Sequence, residues 1–264
     1  MKRILITGGA GGVAGMIRPL LRTSYRLRLS DVQPVPDPVD GEEVVTADLG
    51  DTSALRAAAS GVDGIIHLGA YALETGWQTI HAANIAGTYN LFEAARLEGV
   101  KRVVYASSGH AVGFYPRDTI IPADVTVRPD SRYGLSKAFG EAVASLYAYK
   151  YAVEVLSIRI GTVSARPSAM CRLAAIRVSP RDLCQLIRIG LEAPGIRHEI
   201  VYGVSANQAS WWDNANAHRL GYRPEDRAED HDTGAAVGEA TGDPRADLNQ
   251  GGVFCAEEEI TTPL

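Results

Sequence analysis

The sequence predicts an α/β fold, a doubly wound parallel sheet with a small C-terminal appendage, and three observations predict it. Short aliphatic or β-branched runs alternate with helical patterns over the first 160 residues. Those runs are continuous in apolar residues, as strands buried on both faces are. A glycine-rich segment, Gly8-Gly9-Ala10-Gly11-Gly12-Val13-Ala14, separates the first run from the first helix, where a tight strand-to-helix turn belongs.

The first strand covers Arg3 to Ile6. The basic start Met1-Lys2-Arg3 has the look of a signal peptide, but the apolar run stops at Thr7, so a strand is the better reading. A helix follows from Gly12 to Leu21. Further strands are expected at Arg26 to Leu29, Glu43 to Thr46, Gly64 to Leu68, Arg102 to Ala106 and Val153 to Arg159. Helices are expected at Ser53 to Ala58, Trp77 to Glu98 and Ser131 to Tyr149. Strand alternating with helix means parallel strands joined by right-handed crossovers, which puts ligands at the carboxyl ends of the strands. Gly8, Asp31, Asp48, Gly69 and Ser108 all fall there.

After residue 160 the pattern is irregular, with a helix at Pro180 to Leu191 and a strand at Glu199 to Tyr202. The segment Arg223 to Gly252 is polar and is expected to bury little, running over the surface and partly mobile. The chain reads as one domain, 1–264, in which 1–160 form the main nucleotide-binding sheet and 161–264 the substrate-side elements and polar tail.

A net charge of −5 with 22% charged residues gives no basic footprint, so nucleic acid is excluded as a partner. No apolar stretch is long enough to span a membrane. Three cysteines, widely spaced, fit a reducing compartment without disulfides, hence the cytoplasm. The six histidines form no i, i+4 pair, so no metal is expected.

Gly8-x-x-Gly11-x-x-Ala14 between a strand and a helix has the form of a dinucleotide fingerprint. The first glycine permits the turn, the second lets the backbone approach pyrophosphate, and a small third residue allows close packing. Phosphate would rest on the helix N-terminus near Gly12 and Val13. Asp31 lies about twenty residues past Gly11, where a carboxylate accepts from ribose hydroxyls and repels a 2′-phosphate, favouring NAD over NADP. The alternative is that Asp31 only opens the turn before Pro34. Asp48 and Leu49 close the third strand near adenine, and Leu68-Gly69-Ala70 let the chain pass close to the cofactor.

Tyr133 and Lys137 share one helix face at i, i+4, stacking a phenol on an ammonium. A tyrosine of pKa about 10 must be lowered to act as a base near neutrality, and a neighbouring ammonium and a positive nicotinamide ring both favour phenolate. Ser107-Ser108 end the preceding strand.

With these features in this order, residues 1 to about 165 resemble the extended short-chain dehydrogenase/reductase superfamily, whose fold is Rossmann-type. The resemblance implies Tyr133 as general base, Lys137 holding the nicotinamide ribose and lowering the tyrosine pKa, Ser108 orienting the reacting oxygen, and Ile160 beside the cofactor. Three further stretches sharpen it: Ser107 to Pro116, Arg159-Ile160-Gly161-Thr162, and Tyr202 to Asn207 followed by Trp211-Trp212-Asp213-Asn214. Together they are similar to the bacterial uronate dehydrogenases, which oxidise the C1 hydroxyl of glucuronate or galacturonate with NAD and release an aldarolactone.

That closer resemblance implies a sugar-acid substrate facing Ala72, Ser108, Gly109, His110, Tyr133 and Thr162. Of Arg166, Arg172 and Arg177, it points to Arg172 for the carboxylate. Ala72 stands where the family has a serine and Gly109 where it has an asparagine, which puts the preferred uronate in question. Thr162 in place of a serine keeps a hydroxyl. Trp211 and Trp212 read as a surface turn with core aromatics and no catalytic role. An epimerase or dehydratase of nucleotide sugars would share fold, cofactor and the Tyr/Lys pair, but the short, polar stretch after Arg159 favours a free monosaccharide. A non-catalytic dinucleotide sensor would have no use for Tyr133, Lys137 and Ser108 together. Homo-oligomers are common in the superfamily, though no interface is legible.

Overall fold

The computed structural model describes residues 1–231 and 240–257. Residues 232–239, within the expected polar segment, and 258–264 lie outside the described residues. The chain runs β1 (Arg3–Thr7), α1 (Gly12–Leu21), β2 (Arg26–Asp31), β3 (Glu43–Thr46), α2 (Thr52–Ala59), β4 (Gly64–His67), α3 (Trp77–Ile80), a π-helical turn (His81–Ala86) and α4 (Gly87–Leu97). It continues through β5 (Arg102–Ser108), a 3₁₀ turn (Gly109–Val112), α5 (Arg132–Tyr151), β6 (Glu154–Ile160), β7 (Thr162–Val163) and α6 (Cys171–Ala175). The last elements are β8 (Arg177–Val178), α7 (Pro180–Glu192), β9 (His198–Gly203), α8 (Ala215–Arg219), α9 (Pro244–Leu248) and a second 3₁₀ turn (Gly252–Cys255).

Among the described residues the main sheet has seven strands in the order β3-β2-β1-β4-β5-β6-β9. Every pairing in it is parallel. The chain starts in the middle, moves out through β2 and β3, and returns to the other side at β4. That reversal opens a crevice at the carboxyl ends of β1 and β4.

Along β1 the side chains alternate between two cores. Ile4 and Ile6 pack with Ile17 and Leu21 of α1 and Leu183 and Ile187 of α7. Leu5 points the other way, into a cluster with Leu91 and Phe92 of α4 and Tyr147 of α5. Both faces are apolar, which is why the strand reads as an uninterrupted run. Each such side chain withdrawn from water contributes about 1.5–3 kcal/mol. A third cluster, with Ile121, Ile176, Tyr202, Trp211 and Trp212, holds the C-terminal third beside the carboxyl ends of β5 and β6. The two tryptophans are core aromatics, with Trp212 stacked on Tyr202 at 4.8 Å, and they follow an exposed turn at Gln208 and Ala209.

Two expectations are corrected. The single helix from Trp77 to Glu98 is interrupted by the π turn, where Asn84 faces inward, accepts from Tyr71 N at 2.7 Å and donates to Tyr71 O and Ser136 Oγ. In the segment Arg223 to Gly252, the described residues 223–231 and 240–245 are mostly exposed, but its end, 246–252, does not simply run over the surface. Ala246 and Gln250 are buried. Main-chain bonds join Arg117 N to Leu248 O, Gln250 N to Tyr115 O and Gly251 N to Gly113 O. Arg117 adds bonds to the carbonyls of Ala246 and Asn249, and Gln250 donates to those of Pro116 and Thr119. Order here comes from hydrogen bonds that polar residues can make, not from apolar burial. No helix among the described residues is long and apolar enough to cross a membrane.

Candidate active site

One cavity of about 670 Å³ runs along the crevice from the glycine loop to the end of β5. Gly8 has φ +70°, and a Cβ there would fall 2.8 Å from Gly69 N, so both the turn and the close approach of the β1 and β4 loops require glycine. Thr7 ties the same loops together: its Oγ1 accepts from Gly69 N at 3.2 Å and meets His67 Nδ1 at 2.7 Å. The other nitrogen of His67 faces Thr88 Oγ1 at 3.4 Å. Burial, with the nearby Lys137 charge, pushes His67 down to about 3, so it stays neutral.

The α1 helix begins at Gly12 with no side-chain cap on its first turn, and Gly11, Gly12 and Val13 line the cavity, so a phosphate could be received there. Ala14 is fully buried and lets the helix sit close. Asp31 is fixed by Ala10 N on Oδ2 and Gln33 N on Oδ1, each at 3.0 Å. Each oxygen keeps a lone pair for a ribose hydroxyl. Gly11, Val13, Asp48, Leu49, Leu68, Gly69 and Ala70 line the same cavity. A glycine cradle, uncapped helix donors and a fixed carboxylate fit a dinucleotide.

At the far end, successive residues of β5 face opposite ways. Ser107 turns into the protein and donates to Glu141 Oε1 at 2.6 Å, while Glu141 receives both Nε and Nη2 of Arg159 at 2.8 Å. Ser108 faces the cavity at the strand end and accepts from His110 N at 3.2 Å. The α5 helix starts just after Ser131, which accepts from Gly134 N at 2.9 Å as its N-cap. This cap brings Tyr133 and Lys137 to the same cavity. Lys137 Nζ donates to Ala106 O at 2.8 Å and lies 5.5 Å from the centre of the Tyr133 ring.

Without the positive nicotinamide ring expected beside the Lys137 ammonium, the electrostatics do not favour the phenolate. Burial pushes Tyr133 up to about 12; a hydrogen bond with Ser108 pulls down and the Asp130 charge pushes up. Burial also takes Lys137 down to about 8. The protein's own groups thus hold a neutral phenol near neutrality, and added positive charge in the cavity would favour the phenolate.

Beyond Ser108 the cavity meets a second one of about 250 Å³, and His110, Ile160, Gly161 and Thr162 line both. Gly109, Arg172 and Trp212 line the second only, and Ala72 the first only. Arg172 is 8% exposed, not a surface arginine, and donates Nε to Gln250 O and Nη2 to Gly251 O, both at 2.8 Å. Arg166 is exposed; Arg177 is buried and donates to Ala165 O. A Cβ on Gly109 would meet the Trp212 ring at 2.6 Å, so the tryptophan occupies the space that a larger side chain would need.

All the residues expected from the sequence are thus gathered at two adjoining cavities. Sequence reasoning missed Asp130, bonded to His110 through 2.7 Å, and Phe254, stacked on His110 with centroids 4.0 Å apart. It also missed Trp212 as a cavity wall. Asp130-Ser131 ahead of a helix was a legible signal; Phe254 in a polar tail carried none.

The family model for NAD dependent epimerase/dehydratase proteins matches residues 4–178. A uronate dehydrogenase of Pseudomonas putida is 45% identical over 258 residues, covering 96% of this chain and 95% of that protein. A glucuronic acid dehydrogenase structure from Chromohalobacter salexigens superposes with TM-score 0.91 at 44% identity, covering 97% of each chain. A variant of uronate dehydrogenase from Agrobacterium tumefaciens, complexed with NAD, superposes with TM-score 0.92 at 38% identity, covering 98% of each chain.

Proposed function

The chain belongs to the NAD dependent epimerase/dehydratase family and, within it, to the uronate dehydrogenases, and from that premise we propose how its residues perform the reaction. It is an NAD-dependent dehydrogenase of uronic acids, and the bond oxidised is C1–H of a hexuronate with Tyr133 as the base. The observation that carries this reading is that Ser108, Tyr133 and His110 line the cofactor-sized cavity, and His110 also lines the adjoining one, whose wall includes Arg172.

NAD, when bound, supplies the hydride acceptor and a positive ring near the phenol. Gly8, Gly11, Gly12 and Val13 would hold its pyrophosphate and Asp31 its adenosine ribose. Ser108 Oγ holds the C1 oxygen, and Tyr133 Oη takes the proton from it. Lys137, anchored on Ala106 O, presents its ammonium to the nicotinamide ribose and to the phenolate. Loss of a proton from oxygen and a hydride from C1 leaves a carbonyl carbon still bonded to the ring oxygen, which is a lactone. Arg172 places positive charge on the wall of the second cavity for the C6 carboxylate.

The test is NADH formation measured across uronates, neutral hexoses and nucleotide sugars. A charge-assisted contact of about 3 kcal/mol gives glucuronate or galacturonate about a hundredfold advantage in kcat/KM over glucose or galactose. Equal efficiency on neutral hexoses would overturn the uronate assignment. Arg172→Ala is expected to raise KM for the acids about 10- to 100-fold with little change for hexoses. An unchanged KM would place the carboxylate elsewhere.

Asp31 sets the cofactor preference. A fixed carboxylate facing a 2′-phosphate costs several kcal/mol, so kcat/KM with NAD should exceed that with NADP by about a hundredfold or more. Comparable values with both cofactors would remove that role from Asp31. We place the protein in the cytoplasm on cysteine usage: burial pushes the Cys184 and Cys255 thiols up to about 12, which keeps both inert.

A further inference from the structure

Asp130 lies three residues before Tyr133, and its side chain is withdrawn from solvent. Its Oδ2 lies 2.7 Å from His110 Nδ1, and its Oδ1 accepts from Ser131 Oγ at 2.7 Å. In that second bond the hydroxyl donates, because a carboxylate oxygen can only accept, while Ser131 Oγ itself accepts from Gly134 N. The backbone closes the same loop, with Asp130 N donating to His110 O at 3.3 Å.

The carboxylate is held by three glycines. A Cβ on Gly113 or Gly251 would fall 1.8 or 2.0 Å from Oδ2, and one on Gly134 would fall 2.9 Å from Oδ1. Phe254 stacks on the imidazole and Tyr133 meets it edge-on at 5.7 Å, so the ring is confined as well. His110 stands where the two cavities join.

We propose that Asp130 is a positioning residue for the dehydrogenation: by accepting the Nδ1 proton of His110 it fixes the imidazole tautomer whose Nε2 lone pair accepts a ring hydroxyl of the sugar. This rests on the uronate dehydrogenase reading. An ionised carboxylate only accepts, so Nδ1 carries the proton, and in the neutral ring Nε2 is then an acceptor. That polarity has two consequences. A hydroxyl that donates to His110 does not compete for Tyr133, so the base meets the C1 proton alone. A lone pair at this point also repels a carboxylate, which directs the acid group of the substrate to the Arg172 end and excludes the reversed orientation.

The test combines nitrogen NMR of the NAD-loaded protein at mildly alkaline pH with kinetics, the His110 signal being identified by its loss in His110→Ala. The expected result is a protonated Nδ1 and a bare Nε2 in the wild type, with the Nε2–H form populated in Asp130→Asn. Asp130→Asn should lower kcat/KM for the uronate about 10- to 1,000-fold with KM for NAD unchanged, and should cost no more than about twofold in a His110→Ala background. A wild-type ring protonated on Nε2 would overturn the proposal. So would an equal loss with and without His110, which marks a structural role. Were Asp130→Asn not to fold, the wild-type tautomer still decides. Were no uronate oxidised by the wild type, the function would fail while the tautomer still judged the pair.

Discussion

Tyr133→Phe is expected to fold, to bind NAD within about twofold of the wild type, and to lose about 10² to 10⁴ in kcat. The ring that packs beside His110 and Phe254 is kept, and only the oxygen bonded to Ser108 goes. On the proposed reading that oxygen takes the proton from a C1 hydroxyl held by Ser108, while His110 accepts from a different ring hydroxyl. Burial pushes it up to about 12 in the cofactor-free protein, so the fraction of phenolate near neutrality is small and rises with pH. Activity of the wild type should therefore climb as pH rises, and the cofactor's positive ring should bring that climb into a lower range. Rapid-mixing measurements of NADH formation, with fluorescence titration of NAD, check both halves. Retention of most activity by a folded Tyr133→Phe protein would assign the base elsewhere.

The parts of this site legible in the sequence are those set by local pattern. Ile4, Leu5 and Ile6 mark a strand because neighbours facing opposite ways are all buried. The α1 helix occupies Gly12–Leu21 as expected, because the glycines that break the strand also start the helix. Tyr133 and Lys137 needed only the period of a helix to be placed on one face. Contacts between distant segments could not be read in this way. Nothing near Gly109 indicates that the Trp212 ring fills the space at its Cα. The tail that carries Phe254 looks polar because its anchors are carbonyls and amides, and every sequence has those. Asp130 looks like an acidic residue ahead of a helix, a common start signal, and only folding brings His110 against it.

Lys137→Met is expected to cost about 10² or more in kcat and, in the cofactor-free protein, to change how stability varies with pH. Burial lowers the Lys137 pKa from 10.5 to about 8, so between those values the unfolded chain holds a proton that the folded one has released. Stability then rises with pH across that window, and below it the folded state carries the full cost of a buried ammonium. The gap corresponds to about 3 kcal/mol, partly offset in the lysine by its bond to Ala106 O and its place over the Tyr105 ring. Methionine has similar length and no charge, so the wild type should gain on the variant by up to about 3 kcal/mol as pH rises through the window. Urea unfolding of both proteins at a series of pH values reads this difference directly, since tyrosines and other alkaline groups titrate in both and cancel. A flat difference would mean that the ammonium is hydrated in the folded protein. Saturating NAD is expected to move the window to higher pH, because ribose hydroxyls and a developing phenolate both favour the charged amine. Lys137 thus destabilises the cofactor-free fold at neutral pH through the same charge that the bound cofactor and the reacting phenol require.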